Sequence, residues 1–197
     1  MLSSLLVGFS LGGFVAQEMA IAYPDRVRSL TLMSTAADPT DSSLPGPRLG
    51  WLVRSTLGEL PLLRYRLRSG EQNTMKERIA RWIAFCGQDN LDIGDLAEVV
   101  LYDLRERRGV NLRALIQHQA AVAATRSRYL HLVALTAPTL VVHGTADPLI
   151  PVDHGEKLSE LIPGAQHVWL EGIGHQFPYP ARFAVVDAVL AHLDLAT

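Results

Sequence analysis

A chain of 197 residues is long enough for one well-packed domain, or a domain carrying an inserted subdomain, that buries about 70% of its unfolded surface. With 19% charged residues and a net charge of −2 it reads as a globular protein whose charge gives no case for nucleic acid or an anionic membrane, so neither is expected as a partner. Its single cysteine, Cys86, excludes an intramolecular disulfide and a cysteine-type metal site, and no run approaches a membrane span in length; a soluble, cytoplasmic chain is expected, with no metal or other cofactor.

The first predicted element is the apolar strand that ends at Phe9, within Leu5-Leu6-Val7-Gly8-Phe9-Ser10-Leu11-Gly12-Gly13. It lacks the basic start and the small-residue cleavage site of a signal peptide. A helical pattern follows over residues 13–23 and stops at Pro24. Strand, serine framed by glycines, then helix is the layout of a nucleophile elbow. In that turn Gly8 and Gly12 are expected to be small because a side chain at either would collide across the bend. The Leu11 amide is expected to stand free at the helix N-terminus, where it can meet negative charge.

Residues 27–33 read as a buried strand, completing a parallel βαβ unit, and Ser34-Thr35-Ala36 then falls at the sheet's C-terminal edge. From Asp38 to Pro47 the composition turns to Pro, Gly, Ser and Asp, which reads as a linker. Helical patterns occupy residues 49–57, 59–68, 74–85, 96–107 and 112–127, with Asp95 and Glu98 spaced as a capping box and Gly109 placed as a C-cap. Arginines between Arg48 and Arg81 are expected on solvated helix faces, with recognition of an acidic substrate or partner as the alternative. A block of helices between sheet-forming segments implies a cap, so three segments are expected: core over 1–37, helical cap over 38–128 and core again over 129–197. Strand patterning returns over 139–143 and 167–170, with helices over 154–161 and 181–193. The last helix is expected to carry Phe183, Val186, Val189, Leu190 and Leu193 on one face. The fold class is therefore α/β, a mostly parallel sheet of about four strands with flanking helices and an inserted helical cap.

Ser10, Asp147 and His175 each follow a predicted strand, so a parallel sheet would gather them at one edge. A serine hydroxyl is a weak nucleophile at neutral pH and needs a base within hydrogen-bond reach, the role expected of His175. Asp147 would hold the imidazole in the required tautomer, and the Leu11 amide would stabilise an oxyanion. Asp38 is the rival acid. His118, His131, His143, His154 and His167 read as surface or core histidines, His143 with Gly144 as a structural pair. Phe9 and Phe177, next to these motifs in sequence, and Trp51 and Trp82 in the helical block are the candidates for substrate contact.

Three blocks, residues 7–13 with 22–27, then 138–151, then 172–178, resemble the α/β-hydrolase superfamily, in particular its cap-bearing ester, lactone and enol-lactone hydrolases. Gly144-x-x-Asp147-Pro148 and Gly172-Ile173-Gly174-His175 are similar to polyketide methyl-ester hydrolases of the aclacinomycin methylesterase type. The resemblance implies a serine hydrolase acting on a small carboxylic ester or lactone. A peptidase, a perhydrolase or a carbon–carbon hydrolase of the same fold, and a non-catalytic remnant or scaffold, are the alternatives. It also implies four strands ahead of the elbow strand, where this sequence has nine residues before Ser10, so an N-terminal truncation is expected. The elbow strand would then be an exposed apolar edge able to pair with a second copy, and the second oxyanion donor would be missing.

Overall fold

The computed structural model describes residues 3–50, 70–86, 92–107 and 112–195. In chain order these form β1 (Ser4–Phe9), α1 (Leu11–Ala22), a 3-10 turn (Pro24–Arg26), β2 (Val27–Met33), α2 (Glu71–Cys86), α3 (Ile93–Glu106), α4 (Leu112–Ala123), α5 (Tyr129–Leu132), β3 (Thr139–Gly144), α6 (Val152–Leu161), β4 (Gln166–Leu170) and α7 (Tyr179–Leu195). Among the described residues the four strands make one sheet in the order β1-β2-β3-β4, every pair parallel. Val7 lies opposite Thr31, Leu32 opposite Val141, and Val142 opposite Val168. The expected α/β class and strand count are thus observed. No described helix is long and apolar enough to cross a membrane.

Alternation along the strands divides the core between the two sheet faces. Leu30, Leu32 and Val141 point to one side, where they meet Ala16 and Ala20 of α1, Leu158 and Ile162 of and after α6, and Leu132 of α5. Leu140, Val142 and Leu170 point to the other, against Val185 of α7. Helices on both faces leave the loops at the C-terminal ends of the strands as the one edge where distant segments converge.

Several local expectations are corrected. The cap of α3 is Asp92, which accepts from the amides of Gly94 and Asp95 at 2.7 and 3.1 Å, so Asp95 lies inside the helix and does not open it. The helix expected over 112–127 stops at Ala123, and the irregular stretch after it carries Arg128, buried between Gln17 and Glu18 of α1 with its guanidinium over the Phe14 ring. On α7, Phe183, Val186 and Leu190 are exposed while Val185 and His192 are buried and Val189 packs on the core. That helix is apolar on two sides, so periodicity alone does not choose which stripe meets the sheet. The helices expected over 49–57 and 59–68 fall mainly, and the Gly109 cap wholly, outside the described residues.

Candidate active site

Ser10 sits between β1 and α1 with φ 51° and ψ −117°, a backbone conformation that non-glycine residues avoid at a cost of about 1–3 kcal/mol. Local chemistry explains how the chain tolerates it. A Cβ on Gly8 would come within 2.5 Å of the Gly12 carbonyl oxygen, and one on Gly13 within 2.6 Å of the Thr35 side chain. Gly13 thereby lets Thr35 Oγ1 donate to the Ser10 carbonyl at 2.9 Å, while the Ser10 amide donates to the Met33 carbonyl at 2.8 Å. Gly12 departs from expectation, since nothing lies within 4 Å of a Cβ built there. The bend is tight on the side of Gly8 and Gly13, and Gly12 already belongs to the outward side of α1. Leu11 is the first residue of α1, so its N–H has no intrahelical acceptor.

The other two residues arrive from loops bound to each other. After β3, the Thr145 amide donates to the Leu170 carbonyl and the Ala146 amide to the Ile173 carbonyl, at 3.0 and 2.9 Å. The Gly174 and Gln176 amides donate in turn to the carbonyls of Cys86 and Phe85 at the end of α2. Gly144 makes this approach feasible, because a Cβ there would lie 2.2 Å from the Ile173 carbonyl oxygen. Gly172, at φ 71°, turns the histidine loop.

The loops bring Ser10, His175 and Asp147 into one relay. His175 Nδ1–H donates to Asp147 Oδ2 at 2.7 Å, which leaves Nε2 as the acceptor for the Ser10 hydroxyl at 3.0 Å. Asp147 and His175 are buried, and Asp147 Oδ1 accepts from the amides of Leu149 and Ile150, both at 2.9 Å. Asp38 lies apart from this relay, its Oδ1 taken by the amide and hydroxyl of Thr40. Burial acts to raise its carboxyl and these bonds outweigh that, holding it below the ordinary value.

Burial also acts to raise the Asp147 carboxyl, but hydrogen bonds from His143 and His175, the His175 charge and the Ile150 amide bring it down to about 2, from 3.8. A carboxyl held lower in the folded than in the unfolded chain stabilises the fold fully above the unfolded value and loses that contribution as pH falls through the folded one. Denaturant midpoints should therefore drop between about pH 4 and pH 2. The drop should be smaller in Asp147→Asn, and an equal drop in both chains would assign the acid sensitivity to other groups.

A cavity of about 400 Å³ opens beside Ser10 and Leu11. Its walls are largely apolar: Phe14 of α1, Pro39, Pro45 and Pro47, Val122 of α4, and Leu149 with Ile150; Asp41, His118 and His154 supply the polar atoms. The stretch expected to be a linker is therefore a cavity wall, held in place where Tyr129 donates to Asp41 and where His154 Nε2 meets the Pro45 carbonyl at 3.0 Å. Phe9, Phe177 and Trp82 do not line this cavity. Phe9 packs on the His175 ring with centroids 5.4 Å apart, and Phe177 packs edge-on against Phe9 at 5.7 Å, so the pair shields the imidazole. Trp51 lies outside the described residues. The proline wall is not recognisable in the sequence, where Pro and Gly mark a loop without saying what it packs on; the only available signal is three prolines within nine residues, which stiffen a loop.

A family model described as the alpha/beta hydrolase fold matches residues 4–179. Rhodomycin D methylesterase DnrP of Streptomyces peucetius is 27% identical over 98% of this chain and 67% of its own length. The poly(3-hydroxyalkanoate) depolymerase of Ectopseudomonas oleovorans is 30% identical over 96% of this chain and 60% of its own. Among solved structures, a hydrolase from Pseudomonas aeruginosa PA01 superposes with a TM-score of 0.65 and 25% identity, over 97% of this chain and 64% of that one. The chain thus spans between 60% and 67% of the length of these relatives.

Proposed function

The chain belongs to the α/β-hydrolase family, and from that premise we propose that it is a serine hydrolase cleaving a small carboxylic ester or lactone through an acyl-enzyme. The observation that carries this reading is the 3.0 Å contact between Ser10 Oγ and His175 Nε2 at the mouth of an apolar cavity. As Ser10 Oγ attacks the ester carbonyl, His175 Nε2 takes its proton, and the Asp147 carboxylate stabilises the resulting imidazolium. The Leu11 N–H faces the oxygen on which negative charge develops. Collapse of the tetrahedral intermediate returns the proton to the leaving alkoxide, and water repeats the sequence to release the acid and restore Ser10.

The apolar walls favour an ester with an apolar body, and the similarity to a relative named as a methylesterase supports a methyl ester of such an acid as the first substrate to try. Incubating the full chain with p-nitrophenyl esters of increasing acyl length and with aryl methyl esters tests the reading. The expected result is a burst of nitrophenol equal to the protein concentration, and an acyl adduct on the peptide containing Ser10 after acid quench. Turnover without that adduct would remove the acyl-enzyme. A folded chain that releases alcohol from no member of either series would remove the hydrolase.

A further inference from the structure

His143 is the last large side chain of β3 before the acid loop, fully buried and outside the relay itself. Its Nε2 lies 2.9 Å from the Ile150 carbonyl oxygen and 3.3 Å from Asp147 Oδ2. Both neighbours are acceptors, so the ring must carry its hydrogen on Nε2 and donate it in a forked bond, the shorter arm to Ile150 and the longer to Asp147. Nδ1 has no partner and rests against α6, where a Cβ on Gly155 would lie only 2.6 Å from it. A glycine weakens a helix relative to alanine, and here its absent side chain is the space the imidazole occupies. Two independent features, the forked contact and the glycine gap, place this ring against the triad acid.

We propose that His143 is a positioning residue for the reaction: its forked Nε2–H holds the Asp147 carboxylate so that Oδ2 faces His175 Nδ1. The reason lies in how few rotamers the carboxylate has left. Oδ1 is held by the Leu149 and Ile150 amides, and Oδ2 accepts from His175, so the remaining freedom is rotation of Oδ2 out of the plane of the His175 ring. A second donor on Oδ2, at 3.3 Å from His143 Nε2, restrains that rotation. It also spreads the negative charge, so that Asp147 grips the His175 proton less tightly than an unshared carboxylate would. Among the described titratable residues near the histidine loop, Cys86 accepts from the Gly174 amide through its carbonyl and has its thiol pushed up to about 11 by burial, and Arg182 of α7 donates to the Phe177 carbonyl and pairs with Asp95 at 3.3 Å. Neither of them touches Asp147 Oδ2.

This proposal rests on the reading of Ser10, His175 and Asp147 as the reacting triad, and its test separates the two. His143→Leu keeps the volume and removes the donor, whereas His143→Gln returns an N–H close to the position of Nε2. In the leucine variant kcat should fall about tenfold to a hundredfold with KM within twofold, and the acid limb of the kcat/KM profile should move to higher pH. The glutamine variant should recover at least tenfold of the loss and most of the profile. The low-field NMR resonance of the His175 Nδ1 proton, read in the folded chain without substrate, should shift in the leucine variant and return in the glutamine variant. Because that resonance needs no turnover, it decides the role of His143 even if the chain hydrolyses no ester. Where the leucine variant does not fold, Gly155→Ala takes its place, since the added methyl displaces the ring and should produce the same shift. Leucine and glutamine variants with equal rates, profiles and resonances, or a leucine variant matching the parent, would overturn the proposal.

Discussion

Ser10→Ala is expected to abolish labelling by a fluorophosphonate probe and to lower ester turnover by about 10⁶-fold, with His175→Ala close behind. Both losses should be of that size alone and together, because the hydroxyl and its base act as one unit: a serine without its proton acceptor is a poor nucleophile, and an imidazole without the serine has nothing to activate. The geometry that sets the expectation is the 2.7 Å bond from His175 to Asp147 followed by the 3.0 Å contact to Ser10. Alanine at 10 also keeps the fold, since the Ser10 backbone amide and carbonyl make its structural bonds and the side chain makes none except to His175. The removal of Oγ is therefore read cleanly, with circular dichroism checking that both variants stay folded. Labelling that persists in Ser10→Ala would move the nucleophile elsewhere.

Gly144→Ala should be the most damaging single methyl in the described chain. The new Cβ would meet the carbonyl oxygens of Ile173 and Gly174 at 2.2 and 2.5 Å, and these are backbone atoms that no rotamer change can withdraw. Relief requires the histidine loop to move away from β3. Overpacking costs typically about 1–3 kcal/mol and sometimes more, and here the upper end is expected, a fall in Tm of roughly 6–12 °C for a chain of this size. The same displacement would pull His175 from Ser10, and a shift near 1 Å at a reacting group costs about a hundredfold in rate. Gly12→Ala supplies the contrast, since open space surrounds its Cβ in α1 and the helix gains up to about 1 kcal/mol. Thermal melts of the two variants side by side measure the difference, and a Gly144→Ala chain melting with the parent would mean that the two loops are not packed as described.

That His175 lies within hydrogen-bond reach of both Ser10 and Asp147 was legible in the order of residues alone. Ser10, Asp147 and His175 each stand a few residues beyond an apolar run of strand length, and in an all-parallel sheet that local fact is enough to bring their loops to one edge. β2 was legible to the residue, because Pro24 stops α1 before it and small residues follow it. What surrounds these three residues was not legible there. Whether 38–47 is a tether or a cavity wall, which apolar stripe of α7 is buried, why Gly144 and Gly155 have no side chain, and what His143 donates to all depend on distances between segments far apart in the chain. Periodicity and turn chemistry encode the conformation of each segment, whereas contact across segments is set by packing, which the order of residues along one of them does not express.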